Sequence, residues 1–151
     1  MKWAVADVVE YEQAREYIDT GIIPLLSISF EKGMKETAVE GEFISALTRE
    51  LEREYKGRVF LLPAFTYVEG CVSEQRRLQE WTNYLKDKGL QHIALITSDF
   101  SWKEMEHELT EPLFCLQALP LDQLSDQTKR ELIHAQIKNI MEIFTEKWEN
   151  K

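Results

Sequence analysis

Residues 73–97 read SEQRRLQEWTNYLKDKGLQHIALIT. Ser73 is a natural helix N-cap, Leu78, Trp81, Tyr84 and Leu85 recur at helical spacing, and Gly89 followed by Leu90 supplies the stop. His92 to Thr97 then runs as an apolar strand. The same succession occurs upstream. There Ile44, Leu47, Leu51 and Tyr55 step by three, four and four, Gly57 ends the helix, and Val59 to Phe65 forms a strand that Pro63 weakens locally. Helix, glycine stop and buried strand, twice over, indicate successive crossover units of a parallel sheet.

Working outward, Asp7 reads as the N-cap of a first helix over residues 8–18, with Glu10 at the third helical position. Ile22 to Phe30 is a largely continuous apolar run, as expected of a strand covered on both faces, and Pro24 places its start near an end or edge. Downstream, Ser101 to Glu108 suits a short helix and Leu113 to Ala118 a fourth strand of undetermined direction. A long helix over residues 126–148 carries the stripe Ile133, Ile137, Ile140, Met141, Phe144 and Trp148. The expected fold is therefore α/β, a three-layer Rossmann-like or flavodoxin-like sandwich with a mostly parallel sheet of about four strands. Residues 1–151 are expected to form a single domain.

Composition narrows the function classes. With 44% hydrophobic residues, six glycines and four prolines, the chain buries a real core, which excludes disordered and collagen-like readings. Eighteen Lys and Arg against 27 Asp and Glu give 18 − 27 = −9, so nucleic acid and anionic membrane surfaces are not expected partners. No apolar run approaches the roughly 20 residues that span a bilayer, and Met1 to Asp7 lacks the pattern of a signal peptide. A cytoplasmic location without membrane insertion is expected. In such a reducing compartment Cys71 and Cys115 are not expected to form a structural disulfide.

In open parallel sheets ligands collect at the C-terminal strand edge, where the strand order reverses. That rule selects the loops after each strand and, within them, Ser27, Ser29, Tyr67, Thr97, Ser98 and Trp102 as candidate lining for a small polar ligand. Capping and turn formation are the competing roles for such residues. Cys71, two residues before the Ser73 N-cap, stands where backbone N–H groups can lower a thiol pKa. Cys71 and Arg77 also share the spacing of the phosphate loop of cysteine-dependent phosphatases. The likeness ends at those two residues, because the intervening Val72-Ser73-Glu74-Gln75-Arg76 has no glycine and places an acid in the cradle. The catalytic candidates are thus Cys71 as nucleophile, Arg77 as anion clamp, and Asp99 or Glu69 as acid or base.

His92, His107 and His134 show no zinc-type spacing, and no metal site or cofactor is expected. Glycine-rich dinucleotide, Walker-type and Gly-x-Ser-x-Gly motifs are all absent.

The chain resembles the YpiF-type family, short uncharacterised proteins from Bacillus and its relatives that carry a domain of unknown function. The resemblance is carried by Lys2-Trp3 with Asp7, by Tyr17-Ile18-Asp19-Thr20-Gly21-Ile22-Ile23-Pro24-Leu25, and by Leu61-Leu62-Pro63-Ala64-Phe65-Thr66-Tyr67. It implies no established activity or catalytic residue. The expectation is a non-catalytic accessory or regulatory protein that binds a protein partner or small ligand, with room for a homodimer through the long terminal helix. The alternative is a small hydrolase or transferase with a cysteine nucleophile at the C-terminal sheet edge.

Overall fold

The computed structural model describes residues 1–31, 33–69 and 74–149. In chain order the elements are α1 (Val5–Gln13), a 3-10 turn (Arg15–Tyr17), β1 (Thr20–Ile28), α2 (Met34–Glu54), β2 (Val59–Leu61), β3 (Phe65–Val68) and α3 (Glu74–Asp87). There follow β4 (His92–Thr97), a 3-10 helix (Phe100–Glu108), β5 (Leu113–Cys115), a second 3-10 turn (Leu121–Gln123) and α4 (Asp126–Glu149). Among the described residues no helix is long and apolar enough to cross a membrane.

The strand pairings are all parallel, in the order β2-β1-β4-β5 with β3 also on β1. β2 pairs with Thr20–Ile22 and β3 with Leu25–Ile28, while β4 occupies the other edge of β1 from Thr20 to Leu25. β2 and β3 are therefore two halves of one strand position, and the single strand expected over 59–65 is interrupted. Pro63 lies at the break, where it has no N–H to give the ladder. The result is a three-layer α/β sandwich in which five segments fill four positions.

Alternation along the strands sorts two cores. On one face Ile22, Val59, Ala94 and Ile96 pack beneath Phe43, Ile44, Leu47 and Leu51 of α2 and Ile133, Ile137, Ile140 and Phe144 of α4. On the other, Ile23, Leu25, Phe60, Ile93 and Leu95 meet Leu78 of α3 and Trp102, with Val8 and Tyr11 of α1 partly buried against them. The sheet grows from β1 to β2 and β3, then returns past β1 to β4. Right-handed crossovers in both directions put their helices on opposite faces, which is where α2 and α3 lie. The strand order thus reverses at β1 and β4, and the C-terminal ends of strands at such a reversal are where open α/β sheets bind ligands.

Helix ends differ from expectation in instructive ways. α1 starts at Val5 with Ala4 as N-cap, and the Asp7 carboxylate instead accepts the Lys2 N–H at 2.7 Å. No residue of α1 is fully buried, and the partly buried Val8 and Tyr11 fix its register only weakly. Gly89, at φ 116°, closes α3 as a Schellman motif: its N–H donates to the Lys86 carbonyl and that of Leu90 to the Leu85 carbonyl. Gly57 does not repeat this. It is not left-handed, and α2 ends through N–H bonds from Tyr55 to Leu51 and from Val59 to Tyr55. Gly33, at φ 105°, occupies the N-cap of α2.

Two polar clusters fasten the chain ends. The Met1 ammonium lies 2.9 Å from Glu52 Oε1 and donates to the Val59 carbonyl at 2.7 Å. At the N-terminal edge of the sheet, Arg58 holds both Asp19 oxygens at 3.1 and 3.2 Å and covers the Trp148 ring at 4.1 Å. The Trp148 indole N–H donates to Thr20 Oγ1 at 2.7 Å.

Candidate functional site

The C-terminal edge of the sheet gathers several residues that the strand-edge rule selects. Thr97, the last residue of β4, donates its hydroxyl to the Leu25 carbonyl at 3.0 Å and accepts the Asp99 N–H at 3.0 Å. Asp99 caps the following 3-10 helix: its Oδ1 accepts the Ser101 N–H at 3.0 Å and the Ser101 hydroxyl at 2.7 Å. Its Oδ2 accepts the Tyr67 hydroxyl at 2.5 Å, and that hydroxyl accepts the Trp102 indole N–H at 2.6 Å. Trp102 is 3% exposed and sits in the core edge-on to Phe65 and Tyr67, so it does not present a face for a ligand. Ser27 is in register with Tyr67, and Ser29 Oγ accepts the Glu31 N–H at 3.4 Å. Ser98 is buried, and its hydroxyl has no hydrogen-bond partner among the described residues.

The electrostatics of this edge are acidic. Burial raises the Glu40 carboxyl above its ordinary value, and Asp99, Glu69 and Glu36 push it further the same way. Burial also holds the Tyr67 phenol well above its ordinary range, with the Asp99 hydrogen bond adding to it. The Cys115 thiol, at the end of β5, is pushed up to about 11, chiefly by burial. The Tyr67 phenol and the Cys115 thiol are therefore poor nucleophiles at neutral pH.

Cys71 and Ser73 lie outside the described residues. Of the groups proposed to serve a Cys71 nucleophile, Arg77 pairs with Glu74 at 2.8 Å, donates to the Thr66 carbonyl at 3.0 Å and covers the Phe65 ring at 4.3 Å. Asp99 is committed to Tyr67 and Ser101. Glu69 is exposed, its N–H donating to the Ile28 carbonyl.

His134, which sequence spacing leaves without a ligand partner, meets two carboxylates in space. Its Nδ1 is 2.9 Å from Glu54 and its Nε2 3.9 Å from Glu50, across the seam between α4 and α2. One ligand atom from each of the three lies within 4.8 Å of the others. Arg53 hydrogen-bonds Glu50 and holds its carboxyl below the ordinary range, and the His134–Glu54 contact ties α4 to α2.

A second feature was not foreseen. Between α1 and α3 a cavity of about 560 Å³ opens over the proline break, lined by Trp3, Tyr11, Phe60, Leu62, Trp81, Tyr84 and Leu85, with Arg15 and Lys88 at its rim. Trp3 is 66% exposed and Tyr84 63%. Tyr11 stands edge-on to Phe60 at 5.1 Å, Arg15 covers Tyr11 at 5.2 Å, and Lys88 lies 5.7 Å from the Tyr84 ring. Val5 and Val9 extend the apolar surface along α1. The signal available in sequence was the α3 stripe itself, whose Tyr84 has no complementary stripe on so short a helix as α1.

The family model described as "Protein of unknown function (DUF2487)" matches residues 9–148. The uncharacterized protein YpiF of Bacillus subtilis (strain 168) is 34% identical over 148 residues, covering 98% of each chain. No solved structure matches significantly.

Proposed function

The chain belongs to that family of proteins of unknown function, and from this premise we propose that it is a non-catalytic accessory protein that docks an apolar segment of a partner protein in the groove between α1 and α3. The carrying observation is the exposed aromatic surface of Trp3 and Tyr84 over a cavity already walled by Tyr11, Phe60 and Trp81. Contiguous exposed apolar surface is costly in water and marks interaction sites. Trp, Tyr and Arg are the residue types that dominate interface energetics, and Arg15 stands among them. Exposed Val5 and Val9 add aliphatic surface on α1 outside the cavity lining, which suits a protein segment better than a small ligand. At the strand edge the hydrogen bonds that Asp99, Tyr67 and Thr97 make to neighbouring groups support the non-catalytic part of this reading.

The test is photo-crosslinking in the source cell with a benzophenone amino acid replacing Tyr84, and, as control, replacing Lys138 on α4. The expected result is a discrete heterologous adduct from position 84 only, lost when Trp3→Ala is added while the melting curve is preserved. Equal adducts from both positions, or none, overturn the proposal. An adduct with a second copy of the chain replaces it with a homodimer.

A further inference from the structure

The chain carries nine more acids than bases, yet one cleft between α2 and α4 is cationic. Its volume is about 530 Å³, and six of the chain's 18 lysines and arginines line it: Lys2, Arg49, Arg53, Lys56, Lys129 and Arg130. Their origins explain why sequence reading passes over them. Arg49 and Arg53 lie one turn apart at the end of α2, and Lys56 follows in the turn just beyond it. Lys129 and Arg130 come from the first turns of α4, and Lys2 from the segment bridged to Leu61. Only their convergence makes a site.

Two carboxylates share the lining, and both are already neutralised. Glu52 is paired with the Met1 ammonium at 2.9 Å, and Glu50 is held by Arg53. Lys129 has only Asp126, 3.9 Å away and 91% exposed. Lys2, Arg49, Lys56 and Arg130 have no carboxylate within 4 Å among the described residues. In a chain with 27 acids, four unpaired cations on one concavity repel one another, and this self-repulsion is relieved when an anion enters. Ala46 and Ile133 supply an apolar patch beside the charges.

We propose that this cleft binds a small oligophosphate, a molecule of nucleotide size whose phosphate chain lies between Arg49 of α2, Lys56 just past the end of that helix, and Arg130 of α4. Guanidinium groups suit phosphate oxygens because they present paired N–H donors. The volume matches ordinary small-ligand sites. The cleft is on the opposite face of the sheet from the aromatic groove, so the two proposals stand or fall separately.

The experiment is titration calorimetry of the full chain with inorganic pyrophosphate, tripolyphosphate and ATP, at low and at physiological salt. Saturable one-site binding by at least one of the three is expected, weakening about tenfold as salt screens the charges. Arg49→Gln with Arg130→Gln should weaken it at least tenfold without lowering the melting temperature. Lys35→Gln with Lys147→Gln, exposed cations outside the cleft, should leave it unchanged. Tight pyrophosphate binding assigns recognition to the phosphate chain alone, and binding of ATP only assigns part of it to the nucleoside. Absence of saturable binding by all three, or equal loss in both double variants, overturns the proposal.

Discussion

Glu40 stands half-buried on α2, in the field of Asp99 and Glu69 from the strand-edge loops and of Glu36 one turn earlier. Its carboxyl holds its proton more tightly folded than unfolded, chiefly through burial. A folded value above the unfolded 4.5 favours the native state at pH below 4.5, and that advantage disappears as pH rises through the folded value. At neutral pH the charged Glu40 is thus a local liability. Glu40→Gln should raise the melting temperature at pH 7 by about 1–3 °C, corresponding to some tenths of a kcal/mol after solvent screening. The gain should vanish at pH 4, and thermal melts of both proteins across that range measure it. An unchanged difference from pH 4 to 7 would show that the effect is one of packing.

The glycine-stopped helices show which elements were legible and why. The β4 limits His92–Thr97 and the α4 start at Asp126 follow directly from the sequence pattern, because burial on both faces or along one stripe leaves little freedom of register. The α1 limits do not, because a helix that fully buries no residue imposes only a weak pattern. Gly57 and Gly89 look alike in sequence, yet only Gly89 is left-handed. Gly89→Ala should therefore cost about 1 kcal/mol, whereas Gly57→Ala, exposed and with nothing within 4 Å of an added Cβ, should be neutral or stabilise by up to about 1 kcal/mol through the unfolded chain. Urea unfolding of the two variants separates them. The candidate sites divide along the same line. Tyr67, Thr97 and Ser98 follow from one topological rule. The aromatic groove depends on how far α1 reaches over α3, and the cationic cleft joins residues 2, 49–56 and 129–130, so neither has a contiguous signature.

At the scale of the whole molecule the two faces of the sheet are unequally covered. On one, α2 and α4 are 21 and 24 residues long and contribute Phe43, Ile44, Leu47, Leu51, Ile137, Ile140 and Phe144 at 0–2% exposure. On the other, α1 has nine residues and buries none of them, leaving Val5 83% and Val9 52% exposed. Opening free energy follows buried apolar contact, so the two faces should differ in hydrogen exchange. Amides of residues 8–13 should exchange about 100-fold faster or more than those at the centres of α2 and α4, which open only near global unfolding. Such a wall is suited to adjust to a partner, and docking in the groove should slow α1 exchange while leaving α2 and α4 unchanged. If α1 instead exchanges as slowly as α2 in the free chain, the groove is a rigid part of the core. Its aromatic lining would then act as packing, and the partner proposal would lose its physical basis.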